Sequence, residues 1–479
     1  MSEQSAVTTT ERAPAGGLSR SQTVFMVAAL VLSVIAFMLN ATMLSPAIRD
    51  INTHLGSNAF ASMSSYSFLA GAIANVVLIR WSDYIGRKRV LVGVLIAMCV
   101  GTLLCIFGTT LPVVVAGRVL QGASNVTFGL AFLIMRERLT PAVFGVCCGV
   151  LSAVNGGVAG SDALLGGYLV DHFGYRSIFV LTLAVGIAAV ALAWKAVPAD
   201  ESAESARAAP GRMDWVGAVL IAVTVGGINL FIGNGRDLGW NSPFVLGCIA
   251  AAITAFAAFV VVEKRVAQPL VHIDDLRSRY AWPVIAVTIL SFASFMVVLS
   301  FIIPSIAENR SVGFSASGEM TALLFITPAA LVQLIVSPLI GRVAVRIGWV
   351  TVLRVGLFCT VAATALLAVF GLERNMAILL MIVFGASMGV ALTPLAALGV
   401  IQAPEDEPGS LPGISNAAFG IGGSLGFAWA GTVVGEGTTA SYHSALWICA
   451  AIGVGAIATS LILKPRSAST VPAPSGVSH

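Results

Sequence analysis

The sequence predicts an all-α membrane protein of fourteen transmembrane helices, arranged as two six-helix halves plus two extra central helices. Three observations predict it. Hydrophobic residues make up 57% of the chain and charged residues only 10%, against roughly 25% charged in a soluble domain, so the solvent for this surface is lipid. Apolar runs long enough to cross a bilayer follow one another along the chain. A charged turn, Ile79-Arg80-Trp81-Ser82-Asp83-Tyr84-Ile85-Gly86-Arg87-Lys88-Arg89-Val90-Leu91, returns in the same frame as Gly341-Arg342-Val343-Ala344-Val345-Arg346-Ile347-Gly348-Trp349-Val350-Thr351-Val352-Leu353, and such an echo marks a duplicated unit.

A hydrocarbon core about 30 Å thick takes roughly 20 helical residues. Residues 1–22 are polar and carry no signal-peptide core, so they read as a tail. Spans of the required length then lie near 23–45, 59–79, 90–110, 113–134, 142–170 and 177–197, and these make the N-terminal half, 23–197. The turn at 79–91 is too short for anything but an antiparallel hairpin between its neighbours. An Ala-, Ser- and Glu-rich linker at 198–213 precedes two more spans, 214–233 and 243–263, and a second linker occupies 264–280. The C-terminal half, 281–463, holds spans near 281–303, 318–340, 350–371, 376–400, 412–434 and 443–463, followed by a tail at 464–479. The echoed turn follows the second span of each half, which places the two extra spans between the halves.

The Lys and Arg residues set an orientation. Of the 26, five (Arg49, Arg176, Arg236, Arg310, Arg374) fall in connections on the side away from the termini, Arg118 falls inside a span, and the rest fall on the terminal side. The positive-inside rule then puts both termini in the cytoplasm. The net charge of +4 is spent on topology, so no nucleic-acid partner is expected. The seven cysteines lie inside apolar segments at no metal-ligand spacing, which excludes a disulfide framework and a zinc site. No phosphate-binding loop and no nucleophile–base constellation is present, so enzymatic chemistry is not expected.

At the motif level the chain resembles the 14-helix drug:proton antiporter family of the major facilitator superfamily. The first turn matches the superfamily's loop through Asp83, Gly86, Arg87, Lys88 and Arg89, with Ile79 in place of the leading glycine. Arg118-Val119-Leu120-Gln121-Gly122 matches R-x-x-Q-G in helix 4. Gly166-Gly167 precedes Asp171-His172-Phe173-Gly174-Tyr175-Arg176, Leu238-Gly239-Trp240 follows span 7, and Gly422-Gly423-Ser424-Leu425-Gly426 lies in span 13. The resemblance implies the major facilitator fold, alternating access and, through the Asp83 turn, a gating loop. In that reading Asp83 accepts from a helix N-terminus and Arg87 reaches a carboxylate across the half. The second copy has Val345 where the first has Asp83, so the latch is one-sided. Asn40 stands where the family's first helix carries an Asp, and Asp162-Ala163-Leu164-Leu165-Gly166-Gly167 stands where antiporters carry G-P-x-x-G-G.

Two ionisable side chains fall inside spans, Arg118 and Asp162, and burial in hydrocarbon is costly enough to make such residues functional candidates. They sit at similar depth on consecutive antiparallel helices, which leads us to expect an ion pair. That pair reads either as a static clamp or as a coupling site contested by proton and substrate. Ser152, Asn155, Ala159, Asp162 and Gly166 share one helix face, as do Arg118, Gln121, Asn125 and Gly129. Asn40 and Asn416 are the further cavity candidates. Tyr66, Asn75, Gln333 and Ser415 are read as interhelical hydrogen-bonding residues.

The expected function is secondary transport in a bacterial cell membrane by a monomer with no cofactor, driven by the proton gradient and expelling a small amphipathic compound. Uptake of a small organic solute by symport or uniport is the alternative. A non-transporting sensor or scaffold is the alternative of another class.

Overall fold

Glycine lets the chain reverse at the two echoed turns. Gly86 has φ +101° and Gly348 φ +94°, a backbone region that side chains with a Cβ avoid. Each donates its N–H back to the preceding helix, to the Ser82 carbonyl at 3.0 Å and the Ala344 carbonyl at 2.9 Å. The repeat is therefore visible in the backbone as well as in the letters.

The computed structural model describes residues 19–198, 213–266, 269–270, 278, 280–402 and 410–463. The helices are α1 (Arg20–Leu55), α2 (Ala59–Ile85), α3 (Arg87–Phe107), α4 (Leu111–Arg138), α5 (Pro141–Phe173), α6 (Arg176–Ala196), α7 (Trp215–Leu238), α8 (Pro243–Glu263), α9 (Ala281–Glu308), α10 (Gly318–Ile347), α11 (Trp349–Phe370), α12 (Arg374–Ile401), α13 (Ser410–Val434) and α14 (Thr439–Ile462). Thirteen are long and apolar enough to cross a membrane, counted on described residues alone. The other, α5, has 33 residues and at 1.5 Å per residue is about 50 Å long. The fourteen expected spans thus appear as fourteen helices, and no strand occurs among the described residues. The expected linkers 198–213 and 264–280 and tails 1–22 and 464–479 lie largely outside the described residues.

One departure from the expected boundaries is in α9. The sequence reading stops it at 303, before Pro304, yet the helix continues to Glu308. Two π-helical stretches, Phe292–Met296 and Val298–Ile302, precede the proline and shift the bonding register, so its missing N–H does not end the helix.

α1 departs in another way. It is α-helical over Arg20–Thr42, turns through a 3-10 segment at Ser45–Ala47 and resumes as Ile48–Leu55. Pro46 has no N–H to give the Thr42 carbonyl; the Ser45 hydroxyl donates to that oxygen instead, at 3.3 Å.

Small residues let helices meet closely, as membrane interfaces require. Gly101 of α3 and Gly117 of α4 face each other, and a Cβ on Gly117 would stand 2.6 Å from the Gly101 carbonyl oxygen. Between the halves, Gly420, Gly423 and Gly431 of α13 lie against Ala72, Phe68 and Ala61 of α2. All these contacts fall in the part of α2 remote from the termini. Phe60 and Phe68 of α2, Phe301 of α9 and Phe427 of α13 fill that region, with ring centroids 5.6–6.0 Å apart. The two halves are therefore sealed together at the end of the molecule away from the termini, called here the distal end.

The extra helices α7 and α8 pack on each other and dock through α7 against α13 and α2. The buried Asn229 of α7 makes the link: its amide N–H groups donate to the Ser65 hydroxyl at 2.8 Å, the Ser424 hydroxyl at 2.5 Å and the Ser424 carbonyl at 3.3 Å. Ser65 in turn donates to the Ser424 carbonyl at 2.9 Å. At the distal end Arg236 pairs with Glu436. Replacing Asn229 with Ala is expected to cost about 1 kcal/mol, read as a lower thermal unfolding temperature of the purified protein in detergent. The same change at Asn234, which bonds only to its own helix at Leu230, leaves that temperature unchanged.

Candidate functional site

Arg118 sits on α4 one turn before a 3-10 segment, Ala123–Asn125, and is 3% exposed. A guanidinium in hydrocarbon needs acceptors on its fork. Nη1 finds three: the Asn40 side-chain oxygen at 2.8 Å, the Asn40 carbonyl at 3.1 Å and Gln121 Oε1 at 2.8 Å. Gln121 is oriented in turn by α3. Its Nε2 donates to Thr102 Oγ1 at 2.8 Å, and Thr102 donates onward to the Met98 carbonyl at 2.7 Å. The Cys105 thiol lies 3.8 Å from Gln121 Oε1. Arg118 Nε has no partner.

The ion pair expected between Arg118 and Asp162 is not formed. Asp162 of α5, 2% exposed, meets the Thr42 hydroxyl through Oδ2, and its Oδ1 is left without a hydrogen-bond partner. The physical reason is α1, which runs between α4 and α5 and offers Asn40 to one and Thr42 to the other. Two residues apart, these side chains leave a helix on opposed faces. Thr42 also stands 3.0 Å from the Met38 carbonyl. A hydroxyl has one proton, so Thr42 donates either to an ionised Asp162 or to Met38; in the second case Asp162 must itself carry a proton and donate to Thr42. The geometry records a protonation choice without a counter-charge.

Phe37, Asn40, Ala41, Ser67, Phe68, Arg118, Gln121, Gly122 and Asn125 line a small cavity of about 20 Å³. Phe68 belongs to the distal aromatic seal, so the cavity lies directly beneath it. Gly122 allows the wall to close, since a Cβ there would strike the Ser67 carbonyl. The expected candidates Arg118, Gln121, Asn125 and Asn40 are thus gathered in one place. Asn416 is half-buried on α13 and is not among the lining residues. The side chain of Asn155 lies outside the described residues. Asn75, read as an interhelical residue, donates to Gly71 of its own helix at 3.0 Å.

In the charged turn, Arg87 reaches Glu137 at the end of α4 at 2.7 Å and the Leu133 carbonyl at 3.1 Å, a carboxylate across the half as expected. Asp83 meets Arg87 at 3.5 Å and Arg80 at 3.7 Å and, among the described residues, accepts from no helix N-terminus. Lys88 lies 5.9 Å over the Trp194 ring, and Arg89 is exposed. Sequence reasoning missed Thr42, Thr102 and Cys105. It missed Glu308 as well, which is 3% exposed and lies beyond the expected end of its span near 303.

The sequence matches the family profile described as Major Facilitator Superfamily over residues 30–222 and 213–427. The chain belongs to the major facilitator superfamily. Among superfamily members it is 34% identical over 415 residues to the uridine/deoxyuridine transporter of Lactococcus lactis subsp. cremoris, covering 84% of this chain and 85% of that protein. It is 26% identical to the quinolone resistance protein NorB of Staphylococcus aureus, covering 92% of this chain and 96% of that one. The fold superposes on the POT family transporter PepTSo with a TM-score of 0.67 over 92% of this chain and 97% of that chain, at 15% identity. The protein is therefore a multi-pass membrane transporter with bacterial relatives, and the resemblance to drug-efflux members extends to named relatives. It is not an enzyme.

Arg118→Lys keeps the charge and loses the fork. It is expected to leave at least one of the Asn40 and Gln121 oxygens unsatisfied at a cost of about 1–3 kcal/mol, read by thermal unfolding in detergent. Thr102→Val is expected to lower stability by a smaller amount, because it removes only the acceptor that orients Gln121.

Proposed function

We propose that this transporter takes up a nucleoside of the uridine type by alternating access, with inward movement coupled to protons. The observation that carries the reading is the cavity wall. Amides at Asn40, Gln121 and Asn125, the Ser67 hydroxyl and the Arg118 guanidinium line a chamber that also contains the phenyl rings of Phe37 and Phe68. A pyrimidine base presents carbonyl, N–H and carbonyl along one edge and a flat face to stack. The unpartnered Nε–H of Arg118 supplies a donor for one such carbonyl, and the Asn125 amide, with donor and acceptor, supplies the rest. An amphipathic drug has no need of so many polar partners. The relative that transports uridine and deoxyuridine supports the same assignment. The charge asymmetry supports both termini in the cytoplasm, which makes the sealed distal end the outer one and the cavity open toward the cell interior.

Coupling falls to Asp162, with Thr42 as its partner. Proton arrival switches Asp162 from acceptor to donor and turns the Thr42 hydroxyl toward Met38, which alters the contact between α1 and α5. The second reading, efflux of amphipathic compounds by proton exchange, is favoured by the R-x-x-Q-G motif around Arg118 and by the quinolone-resistance relative.

Reconstituted into proteoliposomes, the protein is expected to take up radiolabelled uridine saturably and to be inhibited by excess deoxyuridine but not by ribose. Absence of uridine flux, with fluoroquinolone or dye flux in its place, would establish the efflux reading instead. Asp162→Asn is expected to retain uridine counterflow within about twofold while losing proton-driven accumulation. Accumulation at the wild-type level would remove Asp162 from coupling.

A further inference from the structure

Two helix starts at the distal end are capped by carboxylates that belong to the opposite half. The N-terminus of α10 has Ser317 as its own cap, accepting from Met320 at 3.3 Å. The two N–H groups before Met320 are not satisfied from within their half. Gly318 donates to Asp171 Oδ1 at 2.9 Å and Glu319 to Asp171 Oδ2 at 2.8 Å, and Asp171 is near the end of α5 in the N-terminal half. The reciprocal contact comes from Glu308, the last residue of α9 in the C-terminal half. Its Oε2 accepts the Arg49 N–H at 2.7 Å, in the first turn of the Ile48–Leu55 segment of α1, which has no side-chain cap of its own.

Both sides of the Glu308 contact are held in place by their own halves. Asn309, next to Glu308, donates to the Gly437 carbonyl at 3.2 Å and to the Tyr442 hydroxyl at 3.0 Å. Asp50, next to Arg49, accepts the Tyr175 N–H at 2.8 Å and so ties the α1 segment to the start of α6. The backbones around the caps are in van der Waals contact with no side chain between them. A Cβ on Gly167 would stand 2.5 Å from the Gly318 carbonyl oxygen, and one on Gly318 would stand 2.6 Å from the Pro46 carbonyl oxygen. Glu308 is 3% exposed, and its Oε1 has no partner.

From this reciprocity we propose that Asp171 and Glu308 form a double latch that holds the distal end of the transporter shut. A carboxylate that accepts from a helix N-terminus makes a charge-assisted bond that also opposes the helix dipole. Here each such bond exists only while the halves are together. When the distal end opens, α10 loses two of its first three N–H partners, the α1 segment loses its cap, and each carboxylate loses its donor. Because the two caps run in opposite directions, neither half can slide or tilt away without breaking one of them. The device is independent of what is carried, so it stands whether the cargo is a nucleoside or a drug.

Amide hydrogen exchange of the full chain in lipid nanodiscs tests this, with Asp171→Asn, Glu308→Gln and the double variant. Ser317→Ala is the control, since it removes a cap from the same α10 start without crossing between halves. Each latch variant is expected to speed exchange about tenfold at the distal ends of α2 and α13, remote from the capped residues, and the double variant more. Ser317→Ala is expected to speed exchange only around 318–321. Latch variants that affect only the capped turns, as the control does, or that leave distal exchange at the wild-type rate, overturn the proposal. Far-UV circular dichroism of the same samples identifies any variant that fails to fold; if one single variant does, the other carries the same expectation alone, because each cap is a separate contact.

Discussion

The candidate site and the proposed latch are arranged around the point where α1 stops being an α-helix. Pro46 cannot donate to the Thr42 carbonyl, so the helix ends at Thr42, turns through Ser45–Ala47 and restarts at Ile48. In hydrocarbon every backbone group freed by such a break must be met by protein. Ser45 meets the Thr42 carbonyl, Arg118 meets the Asn40 carbonyl, and the bare backbones of Gly166 and Gly318 close over the carbonyls of Met43 and Pro46. The residues on either side of the break are then the ones that touch the cavity, the buried carboxylate and the opposite half.

Arg118 shows how a charge survives buried within a membrane-spanning bundle. It has no carboxylate against it; three neutral oxygens converge on one nitrogen, and the amide that supplies one of them is itself held by Thr102 and Met98. Such a site is satisfied without being neutralised, and the positive charge is left for whatever enters the cavity. Asp162 is the counterpart on the other side of α1. Its single hydroxyl partner can serve either protonation state.

The architecture was legible because it is written in local signals. Span lengths follow from bilayer thickness, and the Gly86 and Gly348 turns share one backbone conformation. Arg118, Gln121, Asn125 and Asn40 were legible as a group because three of them recur at helical spacing and the fourth stands where the resembled family carries an Asp on its first helix. The partner of Arg118 was not. Depth can be counted from a helix end, but rotation is set by packing, and the third helix that separates α4 from α5 leaves no mark in the sequence of either. Glu308 was hidden for a different reason: a proline normally ends a helix, and the π-turns that carry α9 past Pro304 have no reliable letter code.

The inserted pair α7 and α8 exposes a large apolar surface, with Val216, Val219, Ile253 and Phe256 each more than half exposed. The opposite side of α7 reaches through Asn229 to a serine in each half. One rod is thus pressed by lipid on its outer side and hydrogen-bonded to both moving bodies on its inner side. The same helix that presents apolar surface outward is therefore the one that joins the two halves on its inner side.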